Sequence, residues 1–287
     1  MTRQFAPFFM LLLLSFYTNA QQSSITQTSE VYKSVDTFNL KIDIFIPATG
    51  KEKRNAIVFF HGGGWVFGHT GEFHGACKRY AELGFVTFSV EYRLSVNEDG
   101  SYPHPNVTPY ECVKDTRSAM RWVRKNAERF NIDPNRIAVG GQSVGGQLTL
   151  MTALADSVNE VTDDLSISPA PNLMLLYSST VNTTEAWCDR IFGERDPRIW
   201  EISPYHNARP GMPPAIEFHG LDDNIVKFWT VRLFETRTKS MGNIFEIETY
   251  EGRGHYLGEG NEKYSRLFDE EIMEKTDAFL AKYGFMK

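Results

Sequence analysis

The sequence feature that most constrains this chain is the segment Gly141-Gln142-Ser143-Val144-Gly145. A short apolar run enters it and a helix-compatible run leaves it, so it predicts a strand that reverses sharply into a helix. Glycines at both ends remove the Cβ atoms that would clash in such a turn. Ser143 is then held at the tip in a strained conformation, at the positive end of the helix. The pattern alone is compatible with a plain turn, but its setting between strand and helix is typical of a nucleophile.

Strand and helix patterns alternate on both sides of this turn. Strands are predicted at residues 31–35, 38–46, 56–60, 85–90, 172–177, 215–218 and 244–250, with one more directly before the turn. Helices are predicted at residues 73–83, 110–130, 144–156 and 225–241, with a terminal helix that carries Leu267/Phe268, Ile272/Met273 and Phe279/Leu280. The alternation predicts an α/β fold with a mostly parallel sheet and helices on both faces, in one domain over residues 21–287. Residues 178–213 fit no regular pattern and are expected to form a lid or pocket wall.

The N-terminus has the composition of an export signal. Arg3 precedes an apolar run over residues 5–17, and small residues follow at positions 18 and 20. This pattern predicts a signal peptide over residues 1–20, a mature chain that begins at Gln21 and a flexible lead-in at 21–29. The apolar run is shorter than the ~20 residues that a spanning helix needs, although an uncleaved anchor is an alternative. A secreted or periplasmic protein with no stable membrane anchor is expected.

Composition excludes several classes of protein. Hydrophobic residues make up 41% and charged residues 23% of the chain, which is ordinary for a soluble globular protein. The net charge of −6 and the absence of a basic cluster give no support to nucleic-acid binding. The three cysteines, Cys77, Cys112 and Cys188, are expected to pack in the interior, with a Cys77–Cys112 bridge as a minor alternative. No histidine pairs with carboxylates at metal-site spacing, so neither a metal nor a cofactor is expected.

A glycine-rich loop, His61-Gly62-Gly63-Gly64-Trp65, follows the predicted strand at 56–60. Successive glycines let the backbone approach a substrate and direct N–H groups at a developing negative charge. A bare glycine run is weak support, but one placed after a central strand and upstream of a nucleophile turn is the oxyanion-loop arrangement of lipases and esterases. The expected oxyanion donors are the amides of Gly63, Gly64 and Val144.

Three side chains beside these donors are assigned further roles. Trp65 and Gln142 flank the loop and the serine, and both are expected to contact the substrate. His61 is expected to support the loop by hydrogen bonding, with a role as catalytic base as the alternative.

The segment His219-Gly220-Leu221-Asp222-Asp223 supplies a carboxylate after the strand at 215–218. A serine nucleophile needs a base, and the base needs a carboxylate to fix its tautomer. Asp223 is favoured because the acid usually falls at the fifth position of this pattern. Asp222 is the alternative, and its other expected role is to cap a helix that starts near Ile225. His219 is expected to be structural.

His255 lies in a glycine-flanked loop after the last predicted strand. It follows both the serine and the acid in the chain, and Ser, Asp, His is the order that this fold uses. The candidate catalytic residues are therefore Ser143, Asp223 and His255. The remaining histidines are expected on the surface or in a pocket wall: His69, His74, His104 and His206.

Together these segments resemble the α/β-hydrolase superfamily. The residues that carry the resemblance are His61-Gly62-Gly63-Gly64-Trp65, Glu91-Tyr92-Arg93-Leu94, Gly141–Gly146, His219-Gly220 with Asp223, and Gly254-His255. More narrowly, the chain is similar to the acetyl esterase/lipase group, which includes hormone-sensitive-lipase-like enzymes and bacterial carbohydrate esterases. Two departures, a short N-terminal region and Gln142 where an Asp is usual, favour the cap-poor carbohydrate-esterase branch with its His-Gly-Gly-x-Trp form.

The resemblance implies a serine carboxylic-ester hydrolase that works through an acyl-enzyme. With export, it suggests a substrate that carries acetyl or feruloyl groups on a saccharide. The alternatives are an amidase or peptidase, because the same triad serves both, and a lipase-like esterase on small acyl esters. A non-catalytic binding module on this fold is disfavoured because all three triad positions are filled.

Overall fold

The computed structural model of the chain describes residues 25–48, 52–192, 196–258, 260 and 266–286. The signal peptide predicted at residues 1–20 and the turn predicted at 49–51 lie outside these residues. Within the described ranges, every helix is too short or too polar to cross a lipid bilayer.

A single mixed sheet forms the centre of the described fold. Its strands are β1 (Ile25–Val35), β2 (Phe38–Pro47), β3 (Arg54–Phe60), β4 (Val86–Val90), β5 (Ile132–Gln142), β6 (Leu173–Tyr177), β7 (Ala215–Gly220) and β8 (Phe245–Tyr250). They lie in the order β1-β2-β4-β3-β5-β6-β7-β8. β1 and β2 are antiparallel to their neighbours, and the other pairs are parallel. The mostly parallel sheet that the alternating pattern predicts is confirmed.

Helices cover both faces of the sheet. They are α1 (His74–Glu82), α2 (Pro109–Lys125), α3 (Val144–Leu154), α4 (Ala186–Phe192), α5 (Pro204–Asn207), α6 (Phe228–Ser240) and α7 (Glu270–Lys282). Successive residues of a strand point to opposite faces, so Val58 packs with α2 and α3 while Phe59 packs with α1 and α7. The apolar runs of the central strands are buried because both faces are covered.

Several boundaries differ from the expected ones. Residues 25–29, expected to be flexible, are the first part of β1, where Ile25 pairs with Pro47. The pairing with β2 uses backbone groups, which leave no apolar pattern in the sequence. The last helix begins at Glu270, so Leu267 and Phe268 are buried ahead of it and are not part of it. Similarly, α2 ends at Lys125, five residues before the expected end.

The segment 178–213 is more regular than expected. It contains α4, a 3₁₀ turn at Pro197–Ile199 and α5. These helices are too short to be stable alone, and they form because they pack on the rest of the fold. Trp187 in α4 stacks on Trp65, and Ile202 accepts a hydrogen bond from Gln147 in α3. The segment therefore covers α3 and the glycine-rich loop.

The three cysteines are free and buried. Cys77 lies in the core on the α1 and α7 side of the sheet, and Cys112 lies in the core on the α2 and α3 side. The sheet separates them, so the Cys77–Cys112 bridge is not formed. Cys188 packs with the second of these cores. The expectation of a packing role is consistent with these positions.

A buried ion cluster joins β1 to α2 and to the segment after β4. Asp115 is fully buried and accepts hydrogen bonds from the guanidinium of Arg93 at 2.8 and 2.9 Å and from Lys33 Nζ at 2.6 Å. Glu160 lies 3.0 Å from Lys33 Nζ and 3.4 Å from Arg93. Arg93 also lies 3.5 Å from the exposed Asp36. Two buried cations therefore depend on one fully buried carboxylate and on two carboxylates nearer the surface.

Replacing Asp115 with asparagine is expected to lower the free energy of unfolding by about 3 kcal/mol or more, because it removes the one fully buried carboxylate that pairs with both buried cations. Urea denaturation measures the loss. The control is Glu246→Gln, which removes an exposed partner of Lys282 and is expected to cost about 1 kcal/mol or less. Equal losses in the two variants would contradict the prediction.

Candidate active site

The turn at Ser143 has the strained geometry that its sequence predicts. Ser143 lies between the end of β5 and the start of α3, with φ 56° and ψ −121°, a region that non-glycine residues rarely occupy. A Cβ atom on Gly145 would lie 2.1 Å from the carbonyl oxygen of Phe60, so only glycine fits there. The turn therefore packs directly on the strand end from which the glycine-rich loop begins. The Ser143 carbonyl accepts the amide of Thr180 at 3.0 Å, which holds the strained residue in place.

Asp223 and His255 are brought together by the loops after β7 and β8. His255 Nδ1 donates to Asp223 Oδ2 at 2.8 Å, and Asp223 Oδ1 accepts the amides of Ile225 and Val226 at 2.8 and 2.9 Å. Burial alone would raise the pKa of Asp223, but the hydrogen bond and charge of His255 and the two amides outweigh it and lower that pKa. Asp223 is thus a buried carboxylate held in one orientation.

Asp222 has neither of its expected roles. Its side chain is exposed, and the geometry joins Asp223 to His255 instead. The helix that Asp222 was expected to cap, α6, begins at Phe228 with Lys227 as its N-cap residue. The expected start near Ile225 is wrong because the amides of Ile225 and Val226 bind Asp223 and form a turn ahead of the helix.

Gln142 lies between the glycine-rich loop and His255. Its side chain is 4% exposed, and its Nε2 atom is 3.2 Å from His255 Nε2. Because Nδ1 of neutral His255 carries the proton that it donates to Asp223, Nε2 has a lone pair and accepts a hydrogen bond from the Gln142 amide. A Cβ on Gly62 would lie 2.2 Å from Gln142 Oε1, so the amide packs against the loop. Gln142 was expected to contact the substrate, whereas in the structure its partners are His255 and Gly62.

The glycine-rich loop exposes backbone donors beside the serine. Gly63 and Gly64 have φ values of 110° and 62°, and the carbonyl of Gly63 accepts the amides of Val66 and Phe67 at 3.1 and 2.9 Å. Within the described ranges, the amides of Gly63, Gly64 and Val144 donate to no protein acceptor. Free amides at the end of a central strand and at a helix N-terminus suit an oxyanion.

The buried side chains of Trp65 and His61 support this loop from the protein interior. Trp65 is 0% exposed, stacks on Trp187 at 5.3 Å and donates from Nε1 to Gln147 at 3.2 Å. It was expected to contact substrate, but complete burial leaves it a packing role. His61 Nδ1 lies 2.8 Å from the Gly62 carbonyl, and its ring stacks on Tyr92 at 4.3 Å. Burial lowers the pKa of His61 to about 4, so it is neutral at neutral pH.

The remaining predicted histidines have local partners. His69 accepts the amide of Gly71, His74 binds Asp43, His104 accepts the amide of Asn106, and His206 binds Ser203. No group of three or more potential metal ligands occurs in the part of the chain that the structure describes.

Two residues of the site have no counterpart among the sequence candidates. Tyr92 donates from its hydroxyl to the His61 carbonyl at 2.8 Å, and only the family resemblance marks its segment. Glu217 is fully buried in β7 and binds His219 at 3.0 Å. A charged residue within the fully buried strand β7, between Ile216 and Phe218, is the signal that would have identified it.

Solved structures and curated proteins that are similar to this chain include esterases. The apo form of esterase 2 from Thermogutta terrifontis matches with a TM-score of 0.80 and 34% identity over 91% of this chain and 96% of that chain. Other structures of that protein are phosphorylated by paraoxon or have propionate or butyrate bound. Carboxylesterase NlhH of Mycobacterium tuberculosis is 28% identical over 145 residues, which are 50% of this chain and 40% of that protein. The chain thus spans well under two thirds of the length of this curated relative.

The sheet order and these relatives define the class as α/β-hydrolase esterases. Hormone-sensitive-lipase-like carboxylesterases are among the homologues, as the sequence motifs indicate. The model of the BD-FAE family matches residues 42–237, which is more than half of the chain. The chain belongs to the BD-FAE family.

Proposed function

We propose that this protein is a serine carboxylic-ester hydrolase in which Ser143, His255 and Asp223 act as nucleophile, base and acid. The observation that carries the proposal is the 2.8 Å bond from His255 Nδ1 to Asp223. It turns the basic Nε2 atom toward Gln142, the residue that directly precedes Ser143. Organophosphate modification of the Thermogutta terrifontis esterase supports a reactive nucleophile in this class.

In the proposed reaction, His255 Nε2 takes the proton of Ser143 while Oγ attacks the ester carbonyl. The hydrogen bond from the Gln142 amide to Nε2 must first be replaced by one from the serine hydroxyl, because Nε2 has a single lone pair. The amides of Gly63, Gly64 and Val144 would bind the oxyanion. His255 then protonates the departing alcohol, and water repeats the cycle on the acyl-enzyme.

We further propose that the acyl group is short or aromatic and that the alcohol is a saccharide. Propionate and butyrate in the Thermogutta terrifontis structures support a short acyl group. Export through residues 1–20 is part of the same proposal, because acylated polysaccharides lie outside the cell.

Exposed aromatic rings support the saccharide part of the proposal. Phe67 is 61% exposed, Tyr102 is 47% exposed, and their rings meet edge to face at 6.4 Å. The Phe67 amide donates a hydrogen bond to the Gly63 carbonyl at 2.9 Å, which ties the Phe67 backbone to the glycine-rich loop. Flat apolar rings of this kind suit a sugar face or a feruloyl ring.

Turnover is expected for acetyl, propionyl and butyryl esters and for acylated oligosaccharides that release acetate or ferulate. Phe67→Ala is expected to raise KM for the oligosaccharides by about tenfold, the effect of losing roughly 1.4 kcal/mol of ring contact, and to change the small esters little. Release assays across this panel measure both effects. An equal change in KM for every substrate would contradict a role of Phe67 in binding the saccharide. No release of acetate or ferulate from any saccharide would reject the saccharide substrate.

The amidase alternative is tested by matched ester and amide substrates. Faster cleavage of the amide would replace the esterase proposal with a peptidase or amidase. A binding module is tested by a fluorophosphonate probe, since a protein without an activated serine would not be labelled at Ser143.

A further inference from the structure

A second histidine lies behind the acid Asp223. His219 in β7 is fully buried, and its Nδ1 atom is 3.0 Å from Glu217 Oε1. Its Nε2 atom is 3.0 Å from the Val226 carbonyl oxygen and 3.4 Å from Asp223 Oδ2. Both ring nitrogens therefore face oxygen atoms that accept hydrogen bonds.

The contacts of Glu217 favour its charged form. Its Oε1 atom accepts the amide of Ser179 at 2.8 Å besides facing His219. A proton on Glu217 Oε1 could be donated to His219 Nδ1, but the hydroxyl oxygen of a carboxylic acid is a weaker acceptor for a second donor than a carboxylate oxygen is. The Oε2 atom of Glu217 is buried, and a proton there would find no acceptor within the described ranges. Glu217 is thus best satisfied as a carboxylate, and His219 then needs a proton on both nitrogens.

We infer that Glu217 and His219 form a buried carboxylate–imidazolium pair whose positive member lies against Asp223 and positions and tunes the catalytic acid. The inference rests on the proposed function, because its effect on turnover passes through Asp223 and His255. Neither Glu217 nor His219 touches the reacting atoms, so both are positioning residues.

The surroundings of the pair agree with this charge state. Burial by itself lowers the pKa of His219, but the hydrogen bond and charge of Glu217, the Val226 carbonyl and Asp223 outweigh it and raise that pKa. Helix α6 contributes the uncharged ring of Phe228, whose centroid is 5.6 Å from that of His219. In the described part of the chain, the charged or titratable groups that face His219 are therefore Glu217 and Asp223, with His255 beyond Asp223.

The pair has a defined effect on the base. Asp223 Oδ2 is shared between His255 Nδ1 at 2.8 Å and the His219 imidazolium at 3.4 Å. The second positive charge offsets part of the negative charge that would stabilise a protonated His255. Protonated His255 therefore gains less stabilisation from Asp223 than it would beside an uncompensated carboxylate.

Glu217→Gln tests the pair, because glutamine has the shape of a protonated glutamate and no charge. Loss of the carboxylate is expected to make His219 neutral and to shift the acid limb of the kcat/KM profile upward by roughly 0.5 to 1 pH unit. The plateau of kcat is expected to stay within about a factor of three of wild type. If Glu217 were protonated in the wild type, the substitution would leave the profile unchanged, and that result would overturn the inference.

Glu235→Gln is the matched control. Glu235 is a buried carboxylate on α6 that binds Arg232 and Lys239, and its loss is expected to leave the acid limb in place. An equal shift in this variant would show a general change of charge and would also overturn the inference.

Nitrogen NMR of wild-type His219 gives a readout that needs neither activity nor a folded variant. Both ring nitrogens are expected to carry protons between about pH 5 and pH 8, whereas an ordinary histidine titrates in this range. A neutral His219 ring at neutral pH would overturn the inference. Absence of ester turnover in the wild type would reject the proposed function alone, because the NMR result would still report on the pair.

Discussion

Replacing Ser143 with alanine is expected to lower kcat for p-nitrophenyl acetate by about 10⁴- to 10⁶-fold, because it removes the nucleophile and leaves only binding and the oxyanion donors. Steady-state assays with wild type and variant at matched concentration measure the change. Fluorophosphonate labelling of the wild type and its loss in the variant locate the reactive group. Retention of most of the activity would reject Ser143 as the nucleophile.

Stability measurements separate this loss from misfolding. Alanine keeps the Cβ atom, so Ser143→Ala retains the strained φ of 56° and is expected to unfold at nearly the wild-type denaturant concentration. Ser143→Gly relieves the strain and is expected to be inactive but about 1 kcal/mol more stable than the alanine variant. Ser240→Ala, the same change at an exposed position, is expected to leave activity unchanged. A destabilised and inactive glycine variant would contradict the assignment of strain.

Replacing Asp223 with asparagine is expected to lower kcat by about 10⁴-fold. Oδ1 of residue 223 accepts the amides of Ile225 and Val226, so the asparagine oxygen is held there and its NH₂ group is directed at His255. His255 Nδ1 must then accept a hydrogen bond, which moves the ring proton to Nε2. The base then faces Ser143 with a proton in place of a lone pair.

Asp222→Asn is the matched control for this variant. Asp222 is adjacent in the chain but exposed, and its loss is expected to change kcat by less than about a factor of three. Parallel assays of the two variants decide which of the two carboxylates is the catalytic acid, a choice that the sequence left open. A large loss in Asp222→Asn with a small one in Asp223→Asn would exchange their roles.

The segments that follow buried strands were predictable because sequence and geometry are local there. Glycines after a strand, as at 56–65 and 137–145, permit close turns that a Cβ atom would block, and the structure has such turns there. Sheet class and helix placement follow from the same alternation of apolar patterns. Boundaries that depend on pairing or capping elsewhere were not predictable, as at β1 and at the start of α6.

Side-chain roles in the site were harder to predict than positions along the chain. Trp65 and Gln142 flank the expected donors in sequence, but the structure buries both, Trp65 under Trp187 and Gln142 against His255. The partner of each lies more than 100 residues away along the chain. Phe67, two residues after Trp65, is the ring left exposed. No pattern within the loop distinguishes these two aromatic residues.

The amino-acid sequence by itself determined the α/β class, the turn at Ser143 and the order in which its candidate partners follow. These features depend on steric limits and on apolar periodicity, which act over a few residues. Only the tertiary structure decided that Asp223 and not Asp222 contacts His255, and that the Gln142 side chain contacts His255 Nε2. The same is true of the pairing of His219 with Glu217 on the other side of Asp223. Those contacts depend on the direction of individual side chains across parallel strands, and packing against distant residues sets that direction.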